Sequence, residues 1–225
     1  MEKGLYIIST PIGNLGDITK RAIDTLKKLD ILLVEDTRVS GKLLKNFDIE
    51  VKMVSFNEYS EKTKTASAIS LLKEGKIVGI ISDAGTPLIS DPGFLLVREA
   101  VKNGIQITAI PGPTALIYAL SVSGLPIDKF IFLGYLPKKE GKRINNLKNL
   151  KKTSEYITAT VIFYESPYRL LPTLKNIYEV FGNIDIVVCR ELTKMHEEVL
   201  RESTSKLIEH FSTITPKGEF TLLFH

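Results

Sequence analysis

Short, uninterrupted apolar runs alternating with helical patterns constrain this chain more than any other feature. Leu5–Ser9, Ile31–Val34, Val51–Phe56, Ile77–Ile81 and Ile105–Ile110 read as strands, and their near-continuous apolar character suits strands covered on both faces. Between them the spacing predicts helices over Thr19–Leu29, Val39–Phe47 and Ala66–Lys73, another opening at Asp91-Pro92 and closing at Asn103-Gly104, and a last one over Thr114–Val122. The alternation implies a mainly parallel sheet with helices on both sides. Ser123-Gly124-Leu125-Pro126 interrupts it, so the expected domains are residues 1–123 and 124–225.

The second half is patterned differently. Phe130–Leu136, Tyr156–Tyr164, Ile184–Glu191, Glu197–Glu202 and Glu219–Phe224 read as strands, with helices only over Pro167–Val180 and Ser205–Phe211. Leu192–His196 alone separates two of these strands, as in an antiparallel pair. A mixed sheet in a second α/β domain follows. At 225 residues the chain is long enough for two cores, and 44% hydrophobic with 25% charged residues excludes a disordered or low-complexity chain. No window resembles a membrane span, and Met1-Glu2-Lys3-Gly4 has no signal-peptide layout, so a cytoplasmic protein without membrane attachment is expected. The single cysteine, Cys189, sits in the apolar run Ile186–Cys189 and reads as a buried thiol.

Charge is uneven. The net charge is +4, yet Lys138–Lys152 holds seven cations against Glu140, a local 7 − 1 = +6 that leaves −2 for the rest. Such a stretch is either a solvated helix face or a mobile anchor for a polyanion such as RNA.

Three strands of the first half run into Pro- and Gly-rich loops: Ser9–Asp17, Ser82–Pro87 and Pro111–Ala115. A parallel sheet sets all three on its carboxyl edge, where open α/β sheets bind ligands. Glycine allows close backbone approach and proline stiffens the loop. None of the three contains Lys or Arg, and neither phosphate-loop nor dinucleotide fingerprints occur, so triphosphate and dinucleotide sites are poorly supported. Asp83 suits a hydroxyl or a cationic ligand instead. Val34-Glu35-Asp36-Thr37-Arg38 leaves the second strand on the same rim, where Asp36 or Thr37 also suits a helix cap and Arg38 its surface partner. Asp91 before Pro92 reads as a helix start. His196, His210 and His225 lack ligand-like spacing, so no metal site is expected.

The segments Ser9–Thr19, Glu35–Arg38, Ser82–Gly93 (SDAGTPLISDPG), Ile110–Pro113, Glu165–Pro167 with Arg169, and Arg190–Thr193 with His196–Glu198 run in order over nearly the whole chain. Together they resemble the ribosomal RNA ribose 2′-O-methyltransferase branch of the tetrapyrrole (corrin/porphyrin) methylase superfamily. The resemblance implies S-adenosylmethionine as cofactor, small-subunit ribosomal RNA or the assembled small subunit as partner, and a cytidine 2′-hydroxyl in the decoding region as target. It also implies two α/β domains with the cofactor cleft between them, and a homodimer. Cofactor contacts carried over by this resemblance fall at Pro11, Ile12, Asp83, Gly85, Thr86, Thr114, Ala115 and Tyr164. Longer members continue into a small C-terminal helical region, whereas this sequence ends at His225.

Methyl transfer to a hydroxyl needs alignment and a base. Glu35, Asp36 and Glu165 are the candidate bases, with Arg38, Arg169 and Lys194 expected on the flanking phosphates. Lys138, Lys139, Lys142 and Arg143 are expected to hold RNA further out. Two readings compete: a tetrapyrrole methyltransferase on the same scaffold, and a non-catalytic RNA-binding protein that retains the cofactor pocket.

Overall fold

A computed structural model describes residues Met1–His225. It divides into two compact units, Met1–Thr114 and Ala115–His225.

In the first unit, strands β1 (Gly4–Ile8), β2 (Ile31–Val34), β3 (Lys52–Ser55), β4 (Ile77–Ile81) and β5 (Ile107–Ile110) form one sheet in the order β3-β2-β4-β1-β5. Every pairing is parallel. β2 and β4 match their apolar runs, β3 and β5 are one or two residues shorter at an end, and β1 is shifted one residue toward the N-terminus. Helices α1 (Lys20–Leu26) and α2 (Thr37–Asn46) cover one face, where Ala22, Leu26 and Leu44 pack on Ile8, Leu32 and Val34. On the other face α3 (Glu61–Lys73) and α4 (Phe94–Lys102) supply Ala68, Leu72, Leu96 and Ala100 against Leu5, Leu33 and Val78. Two cores, one per face, explain why the strands lack polar alternation.

The second unit opens with α5 (Ala115–Ser123). The compact units therefore divide after Thr114 rather than after Ser123, where the turn residues suggested. The physical reason is that α5 packs on the second sheet, and the Arg201 guanidinium donates to the carbonyls of Val122 and Ser123. Strands β6 (Phe130–Tyr135), β7 (Thr160–Glu165), β8 (Asp185–Arg190), β9 (Glu198–Ser203) and β10 (Phe220–Phe224) make a sheet of order β6-β7-β10-β8-β9. It is mixed, as expected: β6 and β7 are parallel, β10 is antiparallel to both neighbours, and β8 and β9 form the antiparallel pair. Helices α7 (Leu170–Phe181) and α8 (Thr204–Thr213) bury Leu174, Ile177, Leu207 and Phe211 against Phe163, Val188 and Leu222. Cys189, next to Val188 on β8 and so on the other face of the sheet, is also buried, and burial pushes its thiol up to about 12, so it stays protonated and inert.

Of the two readings left open for the basic stretch, the structure favours the helix face over the mobile anchor. The basic stretch is helix α6 (Glu140–Ser154), seated by Leu147 and Leu150, and the Tyr156–Ala159 end of the expected strand lies outside β7. No helix is long and apolar enough to cross a membrane.

Candidate active site

In the first unit the loops after β1, β4 and β5 meet as the parallel sheet requires. Ser9 donates its amide to the Ile110 carbonyl (3.2 Å), and Thr10 and Gly85 exchange amide-to-carbonyl bonds of 2.8 and 3.1 Å. The Ser9 and Thr86 hydroxyls lie 3.1 Å apart, and Thr86 donates to the Pro113 carbonyl at 3.3 Å. Glycine is required twice in this junction. Gly85 has φ +81°, and a Cβ at Gly112 would sit 2.8 Å from the Ser9 Cβ. The close approach at Gly112 is thus made to a neighbouring loop, so a bulky residue there disturbs the junction itself. Pro11, Ile12 and Gly85 are buried within it, Thr86 and Thr114 are half-buried, and Asp83 stands exposed at the edge. Ala115, expected beside Thr114, begins α5 in the second unit. Leu88 (φ +73°) and Ser90 (φ +68°) hold left-handed backbone in the same SDAGTPLISDPG loop, the kind of strain that collects at functional sites.

The loop after β2 joins the rim where Asp36 donates its amide to Asp83 Oδ1 at 3.1 Å. The Asp36 carboxylate caps α2 by accepting from the Arg38 amide at 2.8 Å and pairs with the exposed Arg38 guanidinium at 2.7 Å. These bonds hold its carboxyl down to about 2. Asp36 is therefore a cap kept ionised, too weakly basic for the base role expected of it. Arg38 pairs with it at the surface, its side chain 86% exposed.

Glu35 behaves in the opposite way. Burial, then the neighbouring Asp83 charge, raises its carboxyl above the ordinary range. Asp83 is exposed as a residue, but partial desolvation of its carboxyl raises it, against the Asp36 amide, which favours its charged form. Asp91, assigned from sequence to a helix start, joins this group. Burial pushes it up to about 6, with Glu35 and Asp83 adding repulsion and a hydrogen bond from Ser82 opposing. It caps nothing: α4 begins at Phe94, and Glu61 Oε1 accepts from the amides of Gly93 (3.0 Å) and Leu95 (2.8 Å). The only sequence signal for Asp91 was its place in the motif, masked by the Pro beside it. Three carboxylates with raised proton affinity on a rim without lysine favour a cationic or hydroxyl-bearing ligand and disfavour a polyphosphate.

The second unit has its own polar group at the ends of β6 and β7. Glu165, expected as a base, is buried at 1% exposure. Its Oε1 accepts from the Ser166 amide (2.8 Å) and its Oε2 from the Thr173 hydroxyl (2.7 Å), with Arg169 Nε 3.3 Å away. No part of its side chain is exposed, and its bonds tie down the start of the turn after β7. Arg169 is turned inward as well, donating to the Leu136 carbonyl at 2.6 Å. Arg143 is buried, with Nε on Asn176 Oδ1 (2.7 Å) and Nη1 near the Lys138 carbonyl (3.3 Å), which removes it from the expected RNA contacts. Lys194 pairs with Glu191 and Glu219, both at 2.9 Å. Lys138, Lys139 and Lys142 are exposed. Tyr164 lies edge-on to Phe132 and Tyr135, with centroids 4.9 and 5.8 Å apart.

Comparison with known proteins agrees with this architecture. The profile of the Tetrapyrrole (Corrin/Porphyrin) Methylases matches residues 4–208. A cobalt precorrin-4 methyltransferase of cobalamin biosynthesis superposes with TM-score 0.68 at 20% identity, covering 97% of this chain and 93% of that one. Uroporphyrin-III-C-methyltransferase from Thermus thermophilus gives 0.65 at 18% identity, covering 98% and 94%. These two show the shared fold. A Thermotoga maritima protein named ribosomal RNA small subunit methyltransferase I is 47% identical over 219 residues, 97% of this chain and 96% of its own length. Its Halalkalibacterium halodurans namesake is 46% identical over 99% of this chain and 76% of its own length. The one from Mycoplasmopsis pulmonis is 45% identical over 98% and 96%. With its loops, rim carboxylates and full-length similarity accounted for together, the chain belongs to the ribosomal RNA small subunit methyltransferase I family of the tetrapyrrole methylases.

Proposed function

We propose that the protein transfers a methyl group from S-adenosylmethionine to the ribose 2′-hydroxyl of a cytidine in the decoding region of small-subunit ribosomal RNA. The observation that carries this reading is the first unit's rim: three Pro- and Gly-rich loops that hold no Lys or Arg, edged by the carboxylates of Glu35, Asp83 and Asp91. The cofactor supplies a methyl carbon activated by a positive sulfonium, which that negative rim suits. Asp83, exposed at the edge, would accept hydrogen bonds from it, while Thr86, Thr114 and the backbone around Pro11 and Gly85 would shape its bed. Tyr164 and Ala115 are carried by the family resemblance. Glu35 is the base candidate left standing among those named from sequence, and its raised proton affinity suits it to take the hydroxyl proton. The same reading places the protein in the cytoplasm as a homodimer, acting on RNA or on the assembled subunit.

The test is incubation of hypomethylated small subunits with methyl-labelled cofactor, followed by mapping of the labelled nucleotide. Label on one ribose of the decoding region supports the reading. RNA binding without label points to a non-catalytic binder, and label on a tetrapyrrole in a parallel reaction points to the shared scaffold's other chemistry.

RNA would be held by the exposed cations of the turn before α6 and of the helix's first turn. Of the seven in this stretch, Arg143 is buried and Lys151 donates to the Val180 carbonyl (2.8 Å), which leaves five facing out. Replacing Lys138, Lys139 and Lys142 together by alanine should lower the slope of log affinity against log salt by about 2, at roughly 0.7 per lost phosphate contact. Cofactor affinity should not change. Binding measured by anisotropy from low to moderate salt checks both expectations; an unaltered slope would leave the lysines as solvated surface.

A further inference from the structure

We infer that the turns following β6 and β7 form one surface that grips a single-stranded RNA segment, with a base stacked on Tyr168 and its phosphates on Lys138, Lys139 and Lys142. The inference rests on the RNA-directed reading above and adds a base-contacting residue that the family motifs did not mark.

β6 and β7 are parallel neighbours with Tyr135 in register with Tyr164, so the segments that leave them emerge at one edge of the sheet. After β6 comes Leu136-Pro137-Lys138-Lys139; after β7 comes Ser166-Pro167-Tyr168-Arg169. One guanidinium ties these turns together, and a second braces the first turn against α6 and α7. Arg169, from the second turn, donates to the Leu136 carbonyl in the first, at 2.6 Å. Arg143 reaches back to the Pro137 and Lys138 carbonyls at 3.5 and 3.3 Å, and Asn176, which accepts from Arg143, donates to Glu140. Glu165 fixes the second turn through the Ser166 amide and Arg169. The arginines and the nearby carboxylates are thereby engaged internally.

What remains outside is of a different character. Tyr168 is 92% exposed beside the buried Glu165 and inward-turned Arg169. A lone exposed aromatic is ordinary, but this one stands on a turn tied to the one that carries exposed Lys138 and Lys139 and leads into α6 with exposed Lys142. An aromatic face on a fixed turn, flanked by cations that track a backbone, is how unpaired bases are held without strong sequence preference. A duplex, with its bases stacked inside, offers no face for such a ring.

The experiment uses the full-length protein with a fluorescent single-stranded RNA of about twelve nucleotides, and the same strand annealed to its complement. Tyr168→Ala should weaken single-strand binding about tenfold, leave the salt slope unchanged and leave duplex binding unaffected. Tyr168→Trp should restore the affinity, and far-UV circular dichroism checks that both variants are folded. Wild-type affinity in Tyr168→Ala, or equal losses for single strand and duplex, would overturn the stacking role. If the wild type methylates small subunits but binds neither oligonucleotide, this surface is refuted while the methylation reading stands. If the single strand is bound as described but no methyl is transferred, the methylation reading falls and the surface stands.

Discussion

Glu165→Ala should cost the second unit about 3 kcal/mol of stability, toward the lower end of what removing one partner of a buried ion pair costs. The carboxylate has no exposed side-chain surface and serves the Ser166 amide, the Thr173 hydroxyl and the Arg169 guanidinium at once. Alanine leaves the hydroxyl and amide without their acceptor, and Arg169 without its counter-charge. The loss stays at the lower end because Arg169 keeps 19% side-chain exposure and its own bond to the Leu136 carbonyl. Glu165→Gln should fall between, since an amide oxygen still accepts one of these bonds. Urea titrations followed by circular dichroism would show the midpoint fall, with each unit's transition fitted separately. Below the transition, the folded fraction of Glu165→Gln should methylate at near the wild-type rate, because the carboxylate has no exposed surface. A rate collapse in a fully folded Glu165→Gln would return the residue to the role of a base.

Much of the fold was legible because its determinants are local. Ile31–Val34 and Ile77–Ile81 are apolar at consecutive positions, and that pattern gives a strand buried on both faces wherever it occurs. The meeting of three loops follows from parallel pairing alone, and the Thr10–Gly85 bridge is its direct consequence. What the sequence hid depends on partners distant in the chain. Arg143 and Lys142 are adjacent and equally cationic, yet Asn176, 33 positions on, draws one of them inside. Asp91 looks like a cap because Pro92 follows it, but Glu61, 32 positions before Gly93, takes that task. Helix α6 carries only a few apolar residues among its lysines, so its packing beside α7 is invisible without the core that receives Leu147 and Leu150. Glu165 matched the family motif, and the motif marks the position without distinguishing a reacting carboxylate from a bolt.

Asp91→Asn should make the protein more stable at neutral pH and less active, a pairing expected where a site is held at the expense of the fold. Burial, joined by the charges of Glu35 and Asp83, lifts the Asp91 carboxyl from its ordinary 3.8 to about 6. The folded protein therefore binds this proton more tightly than the unfolded chain. Asp91 imposes no penalty below about pH 4; stability declines as pH rises through 6 and is level above that. Asparagine carries no charge to bury, so its stability should lack this decline. The gain at pH 8 should be about 1–2 kcal/mol, reduced from the full linkage value because water still reaches part of the group. At pH 4 the two proteins should melt together. Methyl transfer by Asp91→Asn should fall tenfold or more, because the rim loses one of the three charges that favour a cationic ligand, and the acid limb of the rate profile near pH 6 should disappear with it. Thermal melts at pH 4 and 8, paired with label-transfer rates over the same range, separate the two effects. Equal stability of variant and wild type at pH 8 would mean that Asp91 is better solvated than its place beside Ser82 and Glu35 implies. An unchanged acid limb would assign the titrating group to Glu35 or Asp83 instead.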